Sequence, residues 1–241
     1  MKKEKILGFN VCSIDEKELV NRIFLDYQNN EQSFIVNINP EIAVTNYNNK
    51  EFKEILNEQK YQIPDGTGIV WASKKNKGNI KQRITGIDLM IDICEKSQGY
   101  NARIFLYGSK PGIATLAKEN LKNKFPKINI VGECNGYCDE KEVIYKIIES
   151  NADIVFVGIG SPKQENFIIE NKEKFPSVKI FMPVGGSFDV ISKTKKRAPN
   201  WVIKCNLEWL YRFFQEPSRI GRQMKLLKFM YLVRREKNGK N

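Results

Sequence analysis

The stretch "DIVFVGIGSPKQEN" occupies residues 153–166. Its first half is apolar at consecutive positions. A strand built from it needs cover on both faces, as in a parallel sheet held between helices. Gly158, Gly160, Ser161 and Pro162 then end the run in turn chemistry. A polar segment with helical patterning follows, over 163–174. Outward from this unit the same alternation repeats. Strands are predicted at "SFIVNI" (33–38), "YQIP" (61–64), "ARIFLYG" (102–108), "INIVG" (128–132) and "VKIFMPVGG" (178–186). Helices are predicted over 15–29, 41–60 (as two), 67–76, 86–98, 112–125 and 139–150. Strands alternating with helices of this length give an α/β fold, a mostly parallel sheet with helices on both faces.

Three strand ends share a pattern. "FLYGSKPG", "FVGIGSPKQE" and "PVGGSFD" each run from an apolar strand into Gly, Ser or Pro and then towards a helix. In open parallel sheets ligands bind beyond the carboxyl ends of the strands. Glycine lets backbone N–H groups approach an anion, and a helix N-terminus adds positive dipole. Gly108 and Ser109 in the first loop, like their counterparts in the other two, point to a phosphate-bearing ligand. No G-x-x-x-x-G-K-[ST] sequence is present, and no G-x-G-x-x-G opens a helix after a strand, so neither an ordinary P-loop nor a nicotinamide-type fingerprint is supported.

"IPDGTGIV" (63–70) closes another strand. Pro-Asp-Gly is ordinary turn chemistry. It also sets a carboxylate, Asp65, at the mouth of the sheet. The chain has no histidine, so general-base work falls to Asp, Glu, Lys, Tyr or Cys. No Asp-x-Asp pair is present to hold a metal on a diphosphate. Charge neutralisation would fall to Arg, Lys, backbone N–H groups and helix N-termini. Arg83, just before the helix start at Thr85-Gly86, and Gln164, opening a helix after a strand, are placed for such contacts. Arg83 also reads as an ordinary surface arginine, and Gln164 as a solvated residue of a first turn. The five cysteines are odd in number and scattered, as in a reduced cytoplasmic protein. Cys134 and Cys138 lie close in "ECNGYC", but no second cysteine pair and no histidine completes a zinc set, so no metal is expected there.

Charge divides the chain. Of 40 basic and 28 acidic residues, positions 193–241 hold fourteen basic and three acidic ones, a net of +11, which leaves +1 on residues 1–192. The expected organisation is an α/β domain over 1–192 and a basic helical appendage over 193–241. Pro217 breaks the appendage into at least two helices. Beyond it, Ile220, Met224, Leu227 and Tyr231 form one apolar stripe flanked by Arg219, Arg222, Lys225 and Lys228. A basic amphipathic helix with aromatics suits an anionic membrane surface. A helix packed on the body is the plainer alternative, and nucleic acid is disfavoured by the bulky Leu, Met and Phe among the basic residues. No apolar run is long enough to span a bilayer, and the N-terminus lacks the apolar stretch of a signal peptide. A cytoplasmic protein, peripheral on the inner face of the membrane, is expected. The oligomeric state, a homo-oligomer included, stays open.

Together the segments "NINPE" (37–41), "PDGTGIV" (64–70), "RITGIDL" (83–89), "FLYGSKPGIA" (105–114), "IVGECNGY" (130–137), "GIGSPKQE" (158–165), "VGGSFD" (184–189), "RAPNW" (197–201) and "LEWLYRFFQEPSR" (207–219) resemble the WecG/TagA/CpsF family of bacterial glycosyltransferases. The resemblance runs from about residue 6 to 235 and implies a Rossmann-like sheet. It implies transfer of an N-acetylmannosamine-type sugar from a UDP donor to an undecaprenyl-diphosphate-linked N-acetylglucosamine, with inversion and without a metal or other cofactor. It makes Asp65 the base. It places Asn37, Asn39, Arg83 and Gln164 at the sugar or diphosphate. It also sets Gly185, Gly186, Ser187, Phe188 and Asp189 at the nucleotide, and Arg212, Arg219 and Arg222 on a tail that seats the protein on the membrane. Asn37 stands where family members commonly have Thr, which leaves the donor open between the neutral N-acetyl sugar and its uronic acid. The lack of an extra basic residue there leans to the neutral sugar. A glucosyl donor for a capsule, or a membrane-docked nucleotide-binding regulator without turnover, are the other readings.

Overall fold

The computed structural model describes residues 1–205, 207–208, 210–211 and 220–238. A hairpin of β1 (Lys3–Ile6) and β2 (Phe9–Cys12) opens the chain. Then follow α1 (Glu16–Gln28), β3 (Ser33–Ile38), α2 (Pro40–Thr45), α3 (Lys50–Glu58), β4 (Tyr61–Pro64), α4 (Thr67–Lys75) and α5 (Gly86–Ser97). The second half comprises β5 (Arg103–Gly108), α6 (Ile113–Lys124), β6 (Asn129–Cys134), α7 (Glu140–Glu149), β7 (Ile154–Gly158), α8 (Lys163–Asn171), β8 (Ile180–Pro183), α9 (Ser187–Ile191) and α10 (Asn200–Lys204). The helix we number α11 (Ile220–Asn238) closes the described chain.

β3 to β8 form one parallel sheet in the order β4-β3-β8-β7-β5-β6. β7 behaves as its sequence requires. Val155 and Val157 enter a core shared with α2, α3, α4, α7, α8 and α11, while Ile154 and Phe156 enter the opposite core with α1, α5 and α6. Helix starts are set locally. Asp15, Asn39, Asn49, Thr85 and Asp139 each accept a backbone N–H of the first turn of α1, α2, α3, α5 and α7. Because all six strands run the same way, every strand-end loop emerges on one edge. The path from β5 runs outward through α6 to β6, and that from β7 runs the other way through α8 to β8. This reversal between neighbours opens a crevice.

The sequence reading missed the hairpin. Its two-residue turn is Leu7-Gly8, both at positive φ, 48° and 86°. That is turn geometry usually announced by Asn-Gly or Asp-Gly, and a leucine hides it. β2 lies beside β4, where the Cys12 Sγ accepts from the Gln62 N–H at 3.3 Å. The helix α11 has two apolar faces where the sequence suggested one. Phe229, Leu232 and Val233 are buried against α2 and α4, whereas Met224, Leu227 and Tyr231 are 63%, 57% and 63% exposed. The side chain of Ile220, the fourth member of the expected stripe, lies outside the described residues. Gly68 permits the close approach: a Cβ there would lie 2.5 Å from Pro40 Cγ and 3.3 Å from Leu226 Cδ1.

Candidate functional site

The register pairs Ile38 with Pro64, so Asn39 and Asp65 are the first residues beyond two neighbouring strands, which run about 4.8 Å apart. The Asp65 N–H donates to Ile38 O at 2.8 Å, which pins the turn. Gly66, at φ 94°, releases the chain into α4. Asn39 caps α2 through its side-chain oxygen, 2.9 Å from the Ile42 N–H. Asn37 is buried one pleat back. Its amide donates to Pro183 O of β8 at 2.8 Å, and its Oδ1 is buried without a hydrogen-bond partner among the described residues. Gly86 keeps room for that amide, since a Cβ there would lie 3.0 Å from Asn37 Nδ2.

The ends of β5, β7 and β8 meet further along the edge. Gly108, at φ 141°, touches Gly158 so closely that a Cβ would fall 2.4 Å from the Gly158 carbonyl. Gly158 in turn abuts Gly185 O, 2.8 Å from where its own Cβ would stand. Ser109 donates its N–H to Gly158 O at 2.9 Å and its hydroxyl to Asp189 Oδ1 at 2.5 Å. Asp189 also pairs with Lys195 at 2.9 Å. Gln164 is buried. Its Oε1 accepts the Gly185 N–H at 3.1 Å, and its amide donates to Glu165 Oε1 at 2.9 Å. Ser187 and Phe188 are buried at the start of α9, and the Ser187 hydroxyl donates to Val184 O at 2.6 Å.

Asp65, Asn37 and Asn39 thus form one group, and Gly108, Ser109, Gln164, Gly185 and Asp189 another, on the same edge. Arg83 immediately precedes Ile84, whose N–H donates to Pro64 O at 3.0 Å, and its guanidinium pairs with Glu208 at 3.1 Å. Arg212 and Arg219 lie outside the described residues. Arg222 falls on α11, and its side chain lies outside them too.

Two partners escaped the sequence reading. Glu165, fully buried and with its carboxyl pushed up by desolvation, orients the Gln164 amide. Glu208, 4% exposed, engages Arg83. An acid inside the apolar run "NLEWLY" was the available signal, because a buried carboxylate needs a cation.

Beside the start of α5, Arg197 pairs with Asp88 at 2.7 Å, and Asp88 also accepts the Thr85 hydroxyl. Glu16 nearby is pushed up to about 7 by burial, then by Asp92 and Asp88, with Arg197 opposing. Its folded form holds a proton at pH values where the unfolded chain has lost it. Stability therefore falls as pH rises from about 4.5 through about 7. Denaturant titrations at several pH values across that window should show a shallower decline for Glu16→Gln. An unchanged slope would remove Glu16 as the cause.

The sequence model of the glycosyl transferase WecG/TagA/CpsF family matches residues 4–241. The chain belongs to this family. Among curated relatives, the N-acetylglucosaminyldiphosphoundecaprenol N-acetyl-beta-D-mannosaminyltransferase of Bacillus subtilis (strain 168) is 34% identical over 207 residues, 86% of this chain and 80% of the relative. The enzyme of the same name from Bacillus spizizenii is 37% identical over 205 residues, covering 85% and 79%. That of Staphylococcus aureus (strain MRSA252) is 36% identical over 239 residues, covering 98% and 93%.

Proposed function

We propose that the protein transfers N-acetylmannosamine from its UDP derivative to N-acetylglucosamine carried on undecaprenyl diphosphate, the linkage step of teichoic acid assembly. The observation that carries this reading is the placement of Asp65 beside Asn39 at the mouth of the sheet. Near-full-length similarity to transferases named for this reaction supports it. An acceptor hydroxyl attacks C1 of the donor sugar. The new C1–O bond forms as the C1–O bond to the diphosphate breaks, its electron pair leaving on UDP, and configuration inverts. Asp65 takes the hydroxyl proton. Asn37 and Asn39 hold the sugar. The group of Ser109, Gln164, Gly185, Gly186, Ser187, Phe188 and Asp189 holds the nucleotide. Arg83 and the tail arginines Arg212, Arg219 and Arg222 neutralise the leaving diphosphate.

No helix among the described residues is long and apolar enough to cross a membrane. In this reading the protein docks on the inner face through the exposed Met224, Leu227 and Tyr231 of α11, with Lys228, Arg234 and Arg235 also exposed on that helix. The test is UDP release from UDP-N-acetylmannosamine with a short-chain lipid-diphosphate acceptor, compared with other UDP-sugars. Release from UDP-N-acetylmannosaminuronic acid alone would move the donor to the acid.

Turnover at 25 °C should be unchanged in excess EDTA, because the chain has no Asp-x-Asp pair to hold a metal on the diphosphate and in this reading Arg83 and the tail arginines neutralise it. Loss of turnover restored by Mg²⁺ or Mn²⁺ would refute a metal-free leaving-group mechanism.

A further inference from the structure

Outside this site, the turn from β6 into α7 gathers Cys134 at the strand end, Cys138 just before the Asp139 cap and Glu142 in the first helical turn. One ligand atom from each lies within 4.8 Å of the other two. The fold thereby supplies what the sequence lacked, a third donor from a helix rather than a second cysteine pair. Cys134 is buried, Cys138 half-buried and Glu142 exposed, so the group opens to solvent on one side. A cavity of about 160 Å³, lined by Cys134, Cys138, Asn135, Glu133 and Lys146 among others, adjoins it. A cavity needs about 10–15 Å³ to hold a water, so there is room for an ion and a water ligand.

We propose that Cys134, Cys138 and Glu142 bind one thiophilic divalent cation of the zinc type as a structural staple. Two sulfurs on tetrahedral zinc, with Zn–S about 2.3 Å, stand about 3.8 Å apart, within the spacing observed here. Thiolates with one carboxylate select zinc over magnesium or calcium, and a water completes four-coordination. Charge also closes. Two thiolates and a carboxylate around a divalent ion leave one negative charge, and Lys146 stands 2.6 Å from the Glu142 carboxylate to balance it. Both thiol protons leave to solvent on binding. The staple bears on the transferase edge, because the Gly136 N–H inside the turn donates to Ser109 O at 2.8 Å. It takes no part in the transfer itself.

The test uses the full chain, stripped with chelator, reduced with a phosphine and titrated with Co²⁺. The expected result is one cobalt per chain with a thiolate-to-cobalt charge-transfer band, abolished by one equivalent of zinc. Cys138→Ser should lose the band. Glu142→Gln should weaken binding about ten-fold or more. Cys205→Ser, an exposed cysteine not among the three ligands, should bind like the parent. Zinc at a hundred times its Kd should raise Tm by about 5–10 °C in the parent and leave Cys138→Ser unmoved. Absence of the band, or a band that survives in Cys138→Ser, would overturn the site. These readouts do not depend on turnover, so they stand or fall apart from the proposed reaction.

Discussion

Asp65→Asn is expected to lower turnover by about 10²–10⁴ while UDP affinity stays close to that of the parent. The reason begins with composition. With no histidine in the chain, no imidazole can take the acceptor proton. The sheet then places one carboxylate directly past the end of β4, held by its own N–H on Ile38 O and next to Asn39 across the register. The amide in Asp65→Asn keeps size and much of the hydrogen bonding, so the fold and the nucleotide end of the site should survive. What it loses is the ability to accept a proton as the C1–O bond forms. The group proposed to hold the nucleotide, around Ser109, Gln164 and Gly185, is built from the ends of β5, β7 and β8, separated from β4 by β3, which is why UDP binding should be little affected. Single-turnover kinetics beside UDP titration checks both halves. Near-parental turnover would remove Asp65 as the base. An equal loss in UDP affinity would instead make it a binding residue.

The sheet was legible because its strands are apolar on both faces. Consecutive buried positions such as Ile154 to Val157 allow no other partner than helices above and below. The strand-end loops were legible for a related reason: the turn chemistry at Gly108, Gly158 and Gly185 is local, and three such loops on parallel strands must share an edge. Contacts that depend on distant partners were not legible. Glu208 reaches Arg83 and Glu165 holds Gln164 only once the chain has folded. Glu142 joins the two cysteines only because α7 starts at the Asp139 cap. The two apolar faces of α11 are a subtler case. Spacings of three and four fit Met224, Leu227 and Tyr231 as well as Leu226, Phe229 and Val233. Periodicity marks a helix without saying which face meets the body.

That ambiguity defines the second large effect. The triple change of Met224, Leu227 and Tyr231 to Ser should abolish most sedimentation with anionic vesicles while leaving turnover on a soluble acceptor intact. Each of these side chains is well over half exposed, so the change removes no core contact. At about 1 kcal/mol apiece, below the value for full burial, the three together cost about a hundred-fold in membrane partitioning. Deleting residues from 193 onward is a blunter experiment. It removes a net +11, but it also uncovers the surfaces that Phe229, Leu232 and Val233 bury and takes Glu208 from Arg83. Truncation should therefore lower Tm as well as membrane binding. Salt separates the two contributions to docking. Attraction of the basic residues to anionic headgroups is worth about 1 kcal/mol each and fades as the Debye length shrinks from about 10 Å at 0.1 M to about 3 Å at 1 M. Burial of the apolar stripe is not screened. The parent should thus keep part of its vesicle binding at high salt, and the triple variant should keep none. If the triple variant sediments like the parent at both salt concentrations, the exposed face of α11 is not the membrane contact, and the charge alone would have to carry it.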